Sequence, residues 1–295
     1  MPQLTLIRAA KELAVKHGLK GPALEEAIPY IKIFSGKRFV LKIGGSILDD
    51  LDLLPYLIED VIFLKQLGIN LILVHGGSRH LNEEMKKSNL KVEWKDGLRV
   101  TSAEVLSLAR RVFNEVSLKI KEEIEKRGYK GVIFNKDSGF ITATPLDPFL
   151  GYVGKPSKIK EDMLKALDED TIAIVSSIVS GENGGDIGYN VNADSVAELI
   201  ASTIKAEKLI LMTDVEGILD VEGKLIPTLK IDEAERLIRE GVIHGGMIPK
   251  VRTCLNALKG GTGKCHIIKG CAQSFMDEVL TDRGVGTQFV NSEPI

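Results

Sequence analysis

From about residue 38 onward, short β-branched and apolar runs alternate with amphipathic stretches at helical spacing. That alternation narrows the fold more than any single motif does. Strands are predicted at 38–43 (RFVLKI), 70–74 (NLILV), 130–134, 140–144, 171–175 (TIAIV), 208–212 (KLILM) and 264–268. Helices are predicted over 51–67, 79–88, 102–127, 193–204, 231–240, 247–259 and 272–279. Strands that are apolar throughout, each followed by a helix, build a parallel sheet covered on both faces. The expected class is therefore α/β, a three-layer αβα sandwich with a mainly parallel central sheet. Glu182-Asn183-Gly184-Gly185, between two β-like runs, reads as a hairpin turn.

Residues 1–36 read as a separate N-terminal helical extension. Leu6, Ala9, Ala10, Leu13 and Ala14 recur at helical spacing, with Gly18 as a stop. A second stretch after Pro22 carries Leu24, Ala27, Ile28, Ile31 and Phe34, and Pro29 is expected to kink it. Such an appendage serves as a cover for the main body or as an oligomerisation element, and the sequence favours neither.

The 295 residues suffice for two lobes of ordinary size, and an apolar fraction of 44% supplies a core. A formal net charge of −2 gives no reason to expect nucleic acid or an anionic membrane as partner. No apolar run reaches the ~18 residues of a membrane span, and the start lacks a basic-then-apolar leader, which predicts a cytoplasmic protein. Cys254, Cys265 and Cys271 include no CxxC pair and are expected to be reduced and buried. The histidines at 17, 75, 80, 244 and 266 have no metal-ligand spacing, so no protein-held metal is expected.

Chemistry concentrates where strands end. Lys42-Ile43-Gly44-Gly45-Ser46 closes the first strong strand, and glycines there let the backbone approach a ligand closely. Val74-His75-Gly76-Gly77 ends the second and opens a helix, a layout suited to an anion. Ser78 and Arg79 follow directly, adding bulk and charge, so that Arg79 reads as a hold on a carboxylate or as a solvated side chain. Gly245-Gly246-Met247-Ile248-Pro249-Lys250 places a lysine within a turn of a helix start, a conflict of ~0.3–1 kcal/mol that a nearby anion relieves. Asn190-Val191-Asn192-Ala193-Asp194 opens another helix with more polar side chains than one cap needs, and Thr213-Asp214-Val215-Glu216-Gly217 follows a further strand. Gly260-Gly261-Thr262-Gly263-Lys264-Cys265 is not a P-loop: Leu258 stands at its first glycine, Cys265 replaces Ser/Thr, and a strand follows.

In order, KIGGS, VHGG, DGLRVT (96–101), NVNAD, TDVEGI, GGMIPK and GVGTQF (284–289) resemble the motifs of the amino acid kinase family, over residues 22 to 289. Within it the chain most resembles the branch that phosphorylates N-acetyl-L-glutamate, in the form with an extra N-terminal helix. The resemblance implies the amino acid kinase fold. It implies phosphoryl transfer from MgATP, the Mg²⁺ held mainly by the nucleotide phosphates, to the side-chain carboxylate of N-acetyl-L-glutamate, a step of arginine biosynthesis. It implies a homo-hexamer, a trimer of dimers, with arginine as feedback inhibitor. Residues 37–202 are then the substrate lobe and 203–295 the nucleotide lobe.

By the same resemblance, Lys42 and Lys250 neutralise the transferring group, and Asp194 holds the two lysines. Gly44, Gly45, Gly76 and Gly77 offer N–H groups, while Arg99, Asn190 and Asn192 bind substrate. Thr213, Asp214, Gly217, Gly245 and Met247 lie where the nucleotide is held, and Glu278 and Gly284 match the inhibitor region. The chain departs from the family at Ser78-Arg79, where a third glycine and a proline are usual, and at NKDSG (135–139). It departs again at Lys269 and Cys271, where aspartate and arginine are usual. A side chain at Ser78 is expected to crowd the loop if that position has φ > 0. The other readings are a kinase for carrier-bound aminoadipate or glutamate, and a non-catalytic regulator responsive to arginine or nucleotide.

Overall fold

The computed structural model describes residues 22–44, 47–48, 53–182, 188–270, 274–280 and 284–291. The first predicted helix, Gly45, Cys271 and the tip of the 182–185 turn lie outside them. Helices are α1 (Pro22–Phe34), α2 (Leu54–Gln66), α3 (Ser78–Lys87), α4 (Ala103–Glu125), α5 (Asp162–Lys165), α6 (Ala193–Thr203), α7 (Ile231–Arg239), α8 (Met247–Lys259) and α9 (Ser274–Leu280). Strands are β1 (Arg38–Ile43), β2 (Asn70–His75), β3 (Trp94–Lys95), β4 (Leu98–Arg99), β5 (Lys130–Phe134), β6 (Ile141–Pro145) and β7 (Gly154–Ile159). They continue with β8 (Thr171–Ser176), β9 (Ile178–Gly181), β10 (Tyr189–Asn190), β11 (Lys208–Thr213), β12 (Thr228–Lys230), β13 (Lys264–Lys269) and β14 (Thr287–Val290).

Eight strands form the central sheet in the order β12-β14-β13-β11-β1-β2-β8-β5, and only the β13–β14 pair is antiparallel. Alternate residues of each inner strand enter two cores. Phe39, Leu41 and Ile43 of β1 pack with Ile210 and Met212 of β11 on the side of α1, α2 and α9. Val40, Leu209 and Leu211 pack on the side of α6, α7 and α8. A strand buried on both faces has no polar side to display, which is why these runs are wholly apolar.

The predicted strand at 140–144 lies outside this sheet. Its sequence, ITATP, alternates buried and partly exposed positions, and it joins a smaller mixed sheet in the order β10-β9-β6-β7. The run before the 182–185 turn does pair antiparallel with the one after it, Val179 opposite Tyr189. Helix α1 continues through Pro29, and its Phe34 ring meets Phe39 edge-on at 5.1 Å. The Lys264 segment is a helix-to-strand turn, as its sequence indicates.

β1 and β11 are adjacent and parallel, and the chain leaves them toward opposite ends of the sheet. Their C-terminal ends form a switch point, where open parallel sheets gather ligands. Lys42 and Thr213 both stand there.

Candidate active site

Lys42 emerges near the C-terminal end of β1, and Asp194 sits in the first turn of α6. The Asn192 side chain caps that helix, accepting from the Asp194 N–H at 2.8 Å. Lys42 Nζ meets Asp194 Oδ1 at 2.9 Å, and Lys250 Nζ, from the first turn of α8, donates to Oδ2 at 3.0 Å. One carboxylate, 7% exposed, thus holds two ammonium groups from separate elements. Burial pushes the Asp194 carboxyl up, but Lys42 and Lys250 outweigh it and bring it down to about 2. The carboxylate also supplies the anion that a lysine near the start of α8 requires.

Gly44 follows β1 so closely against β11 that a Cβ would lie 2.3 Å from the Met212 carbonyl oxygen. Gly77 is equally constrained, because a Cβ would fall 2.5 Å from Phe113 Cδ1. Before it, His75 is fully buried, with Nδ1 donating to the Gly76 carbonyl at 3.0 Å and Nε2 lying 2.7 Å from Ser117 Oγ. Burial lowers its pKa to about 4, leaving it neutral. Ser78 is the first residue of α3 and is absent from the residues of positive φ, so its side chain brings no backbone strain.

Beside Lys42 opens a cleft of ≈ 270 Å³ that includes Gly76, Gly77, Arg99, Asn190 and Asn192 in its lining. Arg99 is only 4% exposed. Its guanidinium stacks on Trp94 at 4.5 Å and donates to Met85 Sδ, the Ser78 carbonyl and Asn82 Oδ1. Among the described residues no carboxylate pairs with it, and none lines the cleft. Asn190 is fixed by donation to Thr101 Oγ1 at 3.1 Å.

Thr213, Asp214, Gly217, Gly245 and Met247 do not line this cleft; they lie at the C-terminal end of β11, in the segment after it, and around the start of α8. Thr213 is buried and donates to the exposed Asp214 at 2.9 Å. Gly217 has φ 156° and Gly245 φ 56°, conformations that favour glycine. Glu278 and Gly284 are elsewhere again. The buried Glu278 carboxylate accepts from the buried His266 Nδ1 and from the Val285 N–H at 2.8 Å.

Residues 37–269 match the amino acid kinase family. The chain belongs to that family. Acetylglutamate kinase of Ehrlichia chaffeensis is 38% identical over 290 residues, covering 92% of this chain and 89% of that one. Acetylglutamate kinase of Geobacter metallireducens is 38% identical over 285 residues, covering 91% and 97%. Among solved structures, N-acetylglutamate synthase from Neisseria gonorrhoeae complexed with coenzyme A and L-arginine superposes with a TM-score of 0.81 at 26% identity. That match covers 91% of this chain, which spans 64% of the synthase's length.

The structure brings Lys42, Asp194 and Lys250 together, and places five of the predicted substrate residues around one cleft. Sequence reasoning missed Trp94, Asn82, Thr101 and His75. Trp94 had a signal, being the chain's single tryptophan and five residues before Arg99. Asn82 and Thr101 had none, since their part is to hold Arg99 and Asn190 from a distance in sequence.

Proposed function

We infer that the protein transfers the γ-phosphoryl group of ATP to the side-chain carboxylate of N-acetyl-L-glutamate, forming N-acetylglutamyl 5-phosphate in arginine biosynthesis. The observation that carries this reading is the Lys42–Asp194–Lys250 arrangement beside a cleft whose lining, among the described residues, is cationic and not acidic. The curated relatives agree in name over almost the whole chain.

The chemistry requires no base. A glutamate side chain, with a reference pKa of ~4.3, is already ionised at neutral pH. Its oxygen attacks the γ-phosphorus, the bond to the β,γ-bridging oxygen breaks, and ADP departs with that electron pair. What the protein supplies is alignment of two anions and positive charge at the transferring group. Lys42 and Lys250 are aimed for this by Asp194, and N–H groups of Gly44, Gly45, Gly76 and Gly77 add donors. Both Asp194 oxygens face lysines, and no group of three His, Cys, Asp or Glu among the described residues forms a metal cage. We place Mg²⁺ on the nucleotide phosphates, as part of the MgATP substrate.

Arg99, Asn190 and Asn192 are assigned to the substrate's α-carboxylate and acetamido group. Thr213, Asp214, Gly217, Gly245 and Met247 are assigned to the nucleotide. Residues 37–202 then act as the substrate lobe and 203–295 as the nucleotide lobe, joined through one continuous sheet. We place Glu278 and Gly284 in an arginine-responsive region; arginine reaches the Glu278 carboxylate only by competing with His266 and the Val285 N–H. We assign residues 1–36 to oligomerisation of a cytoplasmic hexamer. Sedimentation at the 32.2 kDa mass of a single chain would reject the hexamer.

The test is ATP- and Mg²⁺-dependent acyl phosphate trapped with hydroxylamine. Turnover is expected with N-acetyl-L-glutamate and not with L-glutamate or N-acetyl-aminoadipate, and arginine is expected to suppress it. Folded protein inactive on N-acetyl-L-glutamate would end the reading.

A further inference from the structure

No step of the phosphoryl transfer uses His75, yet this residue is fully buried directly behind the loop that faces the reaction. It ends β2 opposite Ile43 of β1, one position beyond Lys42, so the Gly76-Gly77 loop leaves the sheet beside Lys42. A Cβ at Gly76 would lie 3.6 Å from the Cβ of Ala193, the residue before Asp194. Gly76 and Gly77 line the cleft, and His75 does not.

Two side chains of α4 back this loop. The Phe113 ring lies against Gly77, and Ser117, one turn on, meets His75 Nε2 at 2.7 Å. A neutral imidazole has one N–H and a carbonyl only accepts, so the 3.0 Å contact with the Gly76 carbonyl places that proton on Nδ1. Nε2 then accepts from the Ser117 hydroxyl. The single hydroxyl proton goes to Nε2 at 2.7 Å rather than to the Phe113 carbonyl at 3.1 Å.

These contacts fix the direction of the Gly76–Gly77 peptide. Among the described residues no peptide bond is cis, and in a trans peptide the C=O and N–H point opposite ways. With the Gly76 carbonyl drawn to His75 in the interior, the Gly77 N–H points away from it, toward the cleft. At the N-cap of α3 that N–H has no intrahelical partner. Neither glycine has a side chain to hold the peptide, so the brace comes from His75.

We propose that His75 is a positioning residue: through the Gly76 carbonyl it aims the Gly77 N–H at the transferring phosphoryl group. The role rests on the function proposed above. A peptide turned over would face the reacting anions with a carbonyl oxygen in place of a donor, and the loss would fall on the chemical step.

The experiment compares wild type, His75→Leu and His75→Asn, with thermal melts to check folding. Leucine and asparagine are close in shape, but only asparagine offers an N–H where Nδ1 stands. By hydroxylamine-trapped acyl phosphate, His75→Leu is expected to lose about 10–100-fold in kcat, with KM for both substrates within about threefold. His75→Asn should stay within about threefold of wild type. In wild type, nitrogen NMR of the imidazoles should show His75, identified by its absence from the His75→Asn spectrum, as the Nδ1–H tautomer at neutral pH. An Nε2–H tautomer would overturn the proposal even if His75→Leu fails to fold. So would His75→Leu at wild-type kcat, or equal losses in both variants, which would mean that the imidazole only fills space. Folded wild type without turnover of N-acetyl-L-glutamate would instead reject the function itself.

Discussion

Asp194→Asn is expected to lower kcat by roughly 10²–10³-fold, the scale on which losing one preorganised charge-stabilising donor acts. The carboxylate pairs with Lys42 through Oδ1 at 2.9 Å and accepts from Lys250 through Oδ2 at 3.0 Å, each oxygen facing one ammonium group. An asparagine side chain matches it in shape but has one accepting oxygen; its NH₂ must face the other ammonium, donor against donor. One lysine then turns away, and the two positive charges lose the negative charge that keeps them side by side. Stability should fall too, but by less than the ~3–5 kcal/mol of breaking a fully buried pair. The Lys42 and Lys250 side chains remain 13% and 22% exposed, so water relieves part of the cost. Lys42→Ala and Lys250→Ala should each lose comparable turnover, and the doubles with Asp194→Asn should lose far less than the product of the singles. Steady-state kinetics of the six proteins, with melts to check folding, decides it. Asp194→Asn retaining kcat within about threefold would reduce the cluster to a structural ion pair.

How much of this was legible in the sequence depends on the range of the forces involved. β1, β2, β8 and β11 could be read because burial on both faces demands an unbroken apolar run, a property each segment carries by itself. Trp94–Lys95, Thr228–Lys230 and Thr287–Val290 could not, being two to four residues long and set by their pairing partners. ITATP was visible as a strand, although its sheet was not, since choice of sheet is a tertiary matter. Asn192 announced a helix start, and its cap is local chemistry. The lysines, by contrast, were placed through resemblance: Lys250 and Asp194 are 56 residues apart, and no periodicity joins them. The Ser78 expectation depended on a positive φ, and the loop instead turns at Gly76-Gly77 and enters the helix at once. In the sequence His75 stands only as a member of the anion-suited VHGG turn and as a histidine without metal-ligand spacing. Its contacts come from Ser117, 42 residues on, so its burial was outside what local sequence expresses.

That buried His75 leads to the second large effect, a change in the stability cost of His75→Gln with pH. Burial lowers the folded-state pKa of His75 from 6.5 to about 4. Below pH 6.5 the unfolded chain takes up a proton that the folded protein refuses, so His75 subtracts stability as pH falls from 6.5 toward 4, and no further below that. At pH 4.5 the penalty is about 2.5 kcal/mol, against almost nothing at pH 7.5. The total stability curve would blur this. His266, also lowered to about 4, pulls the same way, while Asp60, raised to about 7 chiefly by burial, loses stability as pH rises from 3.8 to 7. Asp194 acts lower still, its contribution present above pH 3.8 and lost as pH falls through about 2. A difference between two proteins cancels all three. Glutamine can donate to the Gly76 carbonyl and does not titrate, so its deficit relative to wild type should be largest near pH 7.5 and shrink by about 2.5 kcal/mol at pH 4.5. Urea unfolding of both proteins at those two pH values measures it. A deficit that stays constant would mean that His75 carries its proton in the folded protein as readily as in the unfolded chain.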